Sequence, residues 1–475
     1  MNFIESIVSY VYCFFIESFE LEKAKTRAEA SLGRKGWEVE KRAQERDYLL
    51  RSLMVLNNPY LYLEKRYKGV KFTFPTVSGG GSGVPDEISA EEGCVVCKVR
   101  DSGAGTVRFQ FKLRAPVDPL SEEGKLIPLT DRHMLLLSEV GREWRENVPK
   151  VVIQSPDGKL SLWDEFRETC RLLSEISESE VLEMDDEIQV MGIPRQFIDE
   201  RLVKNGGHPL RPYPVLWGVC ETEEYHEVRN YCFNESTTHV DKENVEGDRI
   251  AQSVMGILQI LLGALSLGRD ITYCKEYGIL DKNGGFINFC PAANFFRNFS
   301  HRTCLCLSPR LSPSDDSEDP ESGLGKNVIR EDLYFMTIEV MEAVRLRWHL
   351  AGIANQLLDW EIQAAQKKLD EVKDKDPINQ EENVLSILKE LSKERARWAA
   401  LKLRFMEDPV AHLIGSGSLN EMYDRAISIF RLKDFDDMLN AKSNALDRVI
   451  NHIMDFAKVS QLLQLATAEK KDRGT

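Results

Sequence analysis

Between Met341 and Val372 the apolar residues fall on alternating three- and four-residue steps. They are Met341, Val344, Trp348, Ala351, then Leu358, Ile362, Ala365, Leu369 and Val372, with Asn355 in the one gap. A repeat of that period lays a narrow apolar stripe along one side of a helix, and the stripe needs another helix to cover it. The spacing predicts a helix from about Glu331 to Lys373, stopped by Pro377 and roughly 60 Å long at ~1.5 Å per residue. A polar residue such as Asn355 at a seam position sets register at some cost in stability.

Three more helices are expected downstream. One carries Val384, Leu388, Leu391, Trp398 and Phe405 and stops before Asp408-Pro409. The next opens at Ser418-Leu-Asn-Glu421, a spacing at which serine and glutamate each satisfy an orphan backbone donor. The last shows Leu439, Leu446, Val449, Ile453, Phe456 and Leu463 in heptad steps. Short connections favour antiparallel neighbours, so residues 331–475 read as an antiparallel helical bundle or coiled coil. Its interaction seam is Met341, Val344, Trp348, Leu358, Ile362, Leu369 and Val372, covered either by the same chain or by another.

Upstream the periodicity changes. Val107, Phe109, Phe111 and Leu113 alternate with Arg108, Gln110, Lys112 and Arg114, the pattern of a half-buried strand. Cys94 to Arg100 pairs with it across Asp101–Thr106. A second hairpin is expected over 151–163 around Pro156-Asp157-Gly158, and a third over 277–289 around Asn283-Gly284. Helices over 164–176 and 194–204 and a strand over 215–220 complete a mixed α/β domain spanning 94–300.

Residues 1–75 read as a helical segment: an apolar start (Phe3, Ile4, Ile7, Val8, Val11, Phe14, Phe15), a charged stretch, then Leu49, Leu50 and Leu53. Gly-rich and acidic residues make 76–93 a linker, and residues 301–330 form a second, acidic and Ser/Pro-rich linker expected to be disordered. The fold class is therefore α+β multidomain, with the mixed α/β domain followed by the helical bundle.

The uncharged run Ile250–Gly268 is long enough to span a membrane. Gln252, Gly256, Gln259, Gly263 and Ser266 nevertheless make one small and polar stripe along it, which would let a strand or helix approach closely. The hairpin that follows favours a buried helix.

A net charge of -15 argues against general nucleic-acid binding, which needs a basic face. Ten cysteines without a framework rhythm read as reduced thiols, and the N-terminus lacks the basic start and cleavage site of a signal peptide. A cytoplasmic chain is expected, with residues 3–16 and 250–268 the elements by which it would associate with a membrane.

Catalytic and cofactor signatures are sparse, and no cofactor or metal is expected. Cys94-Val-Val-Cys97 has metal-ligand spacing, but on a strand the two thiols point to opposite faces. Gly323-Leu-Gly-Lys326 lacks both the hydroxyl residue and the preceding strand of a phosphate loop. The one concentration of titratable groups beside a strand end is Glu221, Glu223, Glu224 and His226. The order of strand 215–220, helix 250–268 and hairpin 277–289 resembles part of the core of the PD-(D/E)xK nuclease superfamily. That resemblance implies carboxylates and a lysine at strand ends holding a metal that activates water. Glu221-Thr-Glu223-Glu224 has no lysine at the Glu-x-Lys position, which implies a divergent or inactive module. The function expected first is a non-enzymatic adaptor or scaffold acting through its long helices, by self-association or a protein partner at 331–475.

Overall fold

The computed structural model describes residues 1–16, 19–31, 36–39, 60–67, 70–73, 87–114, 128–139, 150–155, 158–178, 212–233, 249–262, 295–300, 302–310, 326–373, 389 and 417–472. Outside them lie the helix expected over 194–204, the helix expected over 384–405 apart from residue 389, the hairpin over 277–289, and residues 76–86, 301 and 311–325 of the linkers.

Twelve strands and eight helices occur among the described residues. In chain order they are β1 (Asn2–Phe15), α1 (Leu21–Ser31), β2 (Trp37–Val39), β3 (Tyr60–Tyr67), β4 (Lys71–Thr73), β5 (Glu87–Arg100) and β6 (Ala104–Arg114). Then come β7 (Leu129–Thr130), α2 (Asp131–Glu139), β8 (Lys150–Ser155), β9 (Gly158–Ser161), α3 (Leu162–Ser177) and β10 (Tyr213–Cys220). The rest are α4 (Thr222–Phe233), α5 (Arg249–Leu262), β11 (Phe296–Phe299), β12 (Cys304–Pro309), α6 (Lys326–Lys373), α7 (Gly417–Ile429) and α8 (Leu432–Asp472). The chain divides into two compact units. The first holds residues 1–193, 206–346 and 410–430, and the second holds residues 194–205, 347–409 and 431–475.

The first unit is built on one sheet in the order β11-β12-β10-β1-β6-β5-β4-β8-β9, with β3 also beside β5, β2 beside β3 and β7 beside β1. The helix expected at the N-terminus is instead β1, paired antiparallel with β6 on one side and β10 on the other. Its side chains from Ser6 to Phe14 are buried on both faces of the sheet, and a strand covered on both faces reads as an unbroken apolar run. The β5–β6 and β8–β9 hairpins form as the alternation and turn residues predict. Gly103 closes the β5–β6 turn with φ +84, and its carbonyl accepts from Ile16 N at 2.8 Å. A Cβ there would collide with the Ile16 carbonyl, so glycine is required by both backbone conformation and space. β10 and β12 are parallel.

Helices lie on both faces of the sheet. On one, Tyr12 stacks on Phe166 of α3 at 4.4 Å and Tyr10 Oη donates to Leu137 O of α2 at 2.9 Å. α5 packs on α2, α4 and β12 with Val254, Ile257, Leu258, Ile260 and Leu261 buried. A Cβ on Gly256 would run into Asp131, so the small residue does permit close approach there. Among the described residues no helix is long and apolar enough to cross a membrane. On the other face the start of α6 is held by Tyr334, whose hydroxyl donates to Val215 O at 3.0 Å and lies 2.9 Å from Ser9 Oγ.

In the second unit, α6 from Arg347 onward packs against α8. Arg347 meets Asp436 at 2.9 Å, Trp348 meets Phe435 edge-on at 6.4 Å, and Lys442 reaches Asn355 O at 3.2 Å and Asp359 at 2.7 Å. The sequence offset between hydrogen-bonded partners stays between 83 and 89, so the two helices run parallel. The antiparallel rule applies to helices joined by a short turn, and a long stretch of chain separates this pair.

Candidate functional site

Glu221, Glu223, Glu224 and His226 cluster where β10 passes into α4. The carbonyl of Glu221 accepts from Tyr225 N at 2.9 Å, which makes Glu221 the entry to the helix. Its carboxylate sits 3.4 Å from Arg310, and both side chains are largely exposed. Glu224 accepts from the backbone N–H of Asn2 at 3.3 Å, Glu223 is exposed, and the half-buried His226 ring lies 5.5 Å from Tyr225. Acidic side chains in a first helical turn answer the helix dipole and the unpaired N–H groups. That accounts for the three glutamates without a reaction. Among the described residues no group of three or more His, Cys, Asp or Glu could hold a metal ion. Of the three nuclease-like elements, strand and helix are present as β10 and α5, and the hairpin lies outside the described residues.

Among the described residues, cysteines 13, 94, 97, 170, 220, 304 and 306 form no disulfide. Burial raises the thiol of Cys13 to about 12 and lifts those of Cys97, Cys170, Cys220 and Cys304 as well. These thiols stay protonated and unreactive at neutral pH. On β5, Cys94 is level with Arg66 and Gln110 while Cys97 is level with Leu63 and Val107, so the pair does point to opposite faces.

Buried charges were not foreseen, and two groups of them tie helices to the sheet. Between the sheet and α6, Arg108 bonds Glu342 at 3.1 Å and lies 3.6 Å from Glu339, while Lys98 bonds Glu339 and reaches Glu342 at 3.1 Å. Burial works against the Arg108 cation, yet Glu342 and Glu339 outweigh it and hold its pKa up. Burial alone would raise the Glu339 carboxyl, and Lys98 with Arg108 turns the shift downward. On the opposite face, Glu165 of α3 is 1 % exposed and takes Lys65 Nζ at 2.7 Å and Tyr67 Oη at 2.5 Å on one oxygen. Both groups lie inside the first unit and anchor helices to the sheet.

The predicted seam is largely buried within its own chain. Met341 and Val344 lie in the first unit's core, Leu358 and Ala365 in the second unit, and Trp348 and Ile362 are half-buried. Leu369 and Val372 are helical, and their side chains fall outside the described set. Asn355 does fill a buried seam position, its side-chain amide donating to Ala351 O at 2.9 Å.

Among the described residues, exposed apolar side chains gather at the far end of α8. Leu439, Leu446, Ile450 and Ile453 are buried, but Val459, Leu462 and Leu465 are 54 %, 65 % and 64 % exposed. The signal was present in the sequence: Val459, Leu462, Leu463 and Leu465 cover too wide an arc for one seam. Comparisons with protein families, curated proteins and solved structures returned no match.

Proposed function

We propose that this protein is a non-enzymatic cytoplasmic adaptor whose α/β unit accompanies a helical binding element, with the end of α8 as the binding surface. The observation that carries this reading is the exposure of Val459, Leu462 and Leu465 in the last turns of a 41-residue helix. A helix apolar on more than one side is stable in water only when its remaining apolar side is covered, and a cluster of exposed leucines marks a protein contact. Phe3, Ile7, Val8, Val11 and Phe14 of β1 and Val254, Ile257, Leu258, Ile260 and Leu261 of α5, apolar residues that a membrane role would call on, are buried within the first unit. The glutamates of the nuclease reading stand at an exposed helix start.

The reading is tested on the full-length chain. Tagged protein should retain a binding chain from extracts of its own cells, and Leu462→Asp with Leu465→Asp should reduce that retention at least ~10-fold, the loss of about 1.4 kcal/mol of binding energy. Both side chains are exposed, so the variant should keep the parent's melting temperature. Equal retention by parent and variant contradicts the reading.

A further inference from the structure

We propose that α6 carries a hinge at Ala351–Asn355, inside the second unit, held shut by Lys442 of α8. Gly352 sits in the interior of this 48-residue helix, which holds no other glycine, and a Cβ built on it would meet nothing within 4 Å. Neither close packing nor a left-handed backbone calls for glycine there, and glycine loosens a helix relative to alanine. Asn355, almost one turn on, is buried. Its amide nitrogen donates to Ala351 O at 2.9 Å, a carbonyl that the helix ladder also uses. Its amide oxygen is buried and meets no hydrogen-bond donor among the described residues. Lys442 Nζ then donates to Asn355 O at 3.2 Å and to Asp359 at 2.7 Å.

A side chain that bonds a main-chain carbonyl competes with the helical N–H for it, and insertion into the ladder is a known cause of kinks. Two carbonyls one turn apart, those of Ala351 and Asn355, each carry such an extra donor. A buried amide oxygen without a donor costs its desolvation, and opening the turn to water removes that cost. Gly352 lowers the helix's own resistance to opening. Against opening stand the buried side chains of Leu350, Ala351, Ala354 and Leu358 and the Lys442 bridge. Asp359, at the outer end of that bridge, is half in water, so the ion pair is of the weak surface kind. A turn so balanced opens locally while the helix on either side stays formed. Opening frees the helix beyond Asn355 to turn against the helix before Gly352, which makes α6 a two-state element.

Amide hydrogen exchange of the full-length chain, read along α6, tests the hinge. The amides of 352–359 should exchange faster than those of 341–348 before them and 361–366 after them. Gly352→Ala should slow 352–359 about fourfold, the difference in helix propensity between the two residues. Lys442→Met keeps the stem and removes the donor, and should speed the same amides at least ~3-fold. Asp359→Asn, at the exposed end of the bridge, should speed them in the same sense. Protection that falls steadily toward Lys373 is fraying from the helix end and overturns the hinge. So does a failure of Gly352→Ala to slow these amides, or of Lys442→Met to speed them. Faster exchange at 446–453 of α8 in both bridge variants would show the second unit loosening as a whole, and would overturn it too.

Discussion

An Arg108→Ala chain should lose about 3–5 kcal/mol of stability in urea unfolding, the loss seen when one partner of a buried ion pair is removed. Arg108 and Glu342 are 8 % and 6 % exposed as side chains, with Lys98 and Glu339 beside them. Deleting the guanidinium leaves two carboxylates facing one ammonium where little water can replace the missing charge. Lys112 stands on the same face of the same strand and pairs with Glu5 at 2.9 Å, but about a third of its side chain is in water. Lys112→Ala should therefore cost no more than ~1 kcal/mol. Equal losses from the two substitutions would contradict the burial argument. The cluster also gives stability a pH dependence. The Glu339 carboxyl is held below its ordinary value of 4.5, so its contribution is fully present above that pH. The contribution is lost as pH falls through the lower folded value. In the Arg108→Ala chain this acid transition should move upward.

Tyr10→Ala should cost about 4 kcal/mol, within the range for truncating a buried aromatic ring. Tyr10 is fully buried, its ring lies 6.3 Å from Phe111 on the neighbouring strand, and its hydroxyl satisfies Leu137 O. Truncation both opens a cavity and leaves a buried carbonyl without a donor. Tyr10→Phe removes only the hydroxyl and should cost ~1 kcal/mol. A double-mutant cycle between Tyr10→Ala and Phe111→Ala should show a coupling of about 0.5–3 kcal/mol, as residues in contact do. Additive losses would contradict the pairing of β1 with β6 in this register. The experiment discriminates between conformations, because on a helix Tyr10 would share a face with Ile7 and Phe14 rather than with Val8 and Tyr12.

The contrast between β1 and β6 shows where the sequence was legible. Alternation in β6 named the strand and its apolar face correctly, since Val107, Phe109, Phe111 and Leu113 are all fully buried. It also implied that Arg108, Gln110, Lys112 and Arg114 face water, as a one-sided strand would place them. That held toward Arg114, which is exposed, and failed at Arg108, which lies under α6. Periodicity reports which side chains share a face and says nothing about what covers the second face. β1 failed for the complementary reason. Ile7, Val11 and Cys13 are buried on one face, and Val8, Tyr10 and Tyr12 on the other, so no alternation survives to separate strand from helix.

The long helices were the clearest part of the chain. A start expected near Glu331 compares with Lys326 for α6, and the described helix runs to Lys373. Their environment was harder to read. The heptad seam identifies a stripe that must be covered, and most of it is covered within the chain. The exposed leucines lie on a second stripe of α8 that the stronger pattern of Leu439, Leu446 and Ile453 obscured. At Glu221, Glu223 and Glu224 residue type alone suggested chemistry, whereas their place at the start of α4 supplies a structural reason for acid.

The most direct test of the adaptor reading is amide hydrogen exchange on the full-length chain, alone and bound to whatever chain it retains. Exchange slows where a helix is covered and its opening becomes less favourable. The account predicts slowing confined to residues 454–469 of α8, with the sheet and α6 unchanged. Slowing at the sheet or around Glu221 and His226, with 454–469 unaltered, would contradict it.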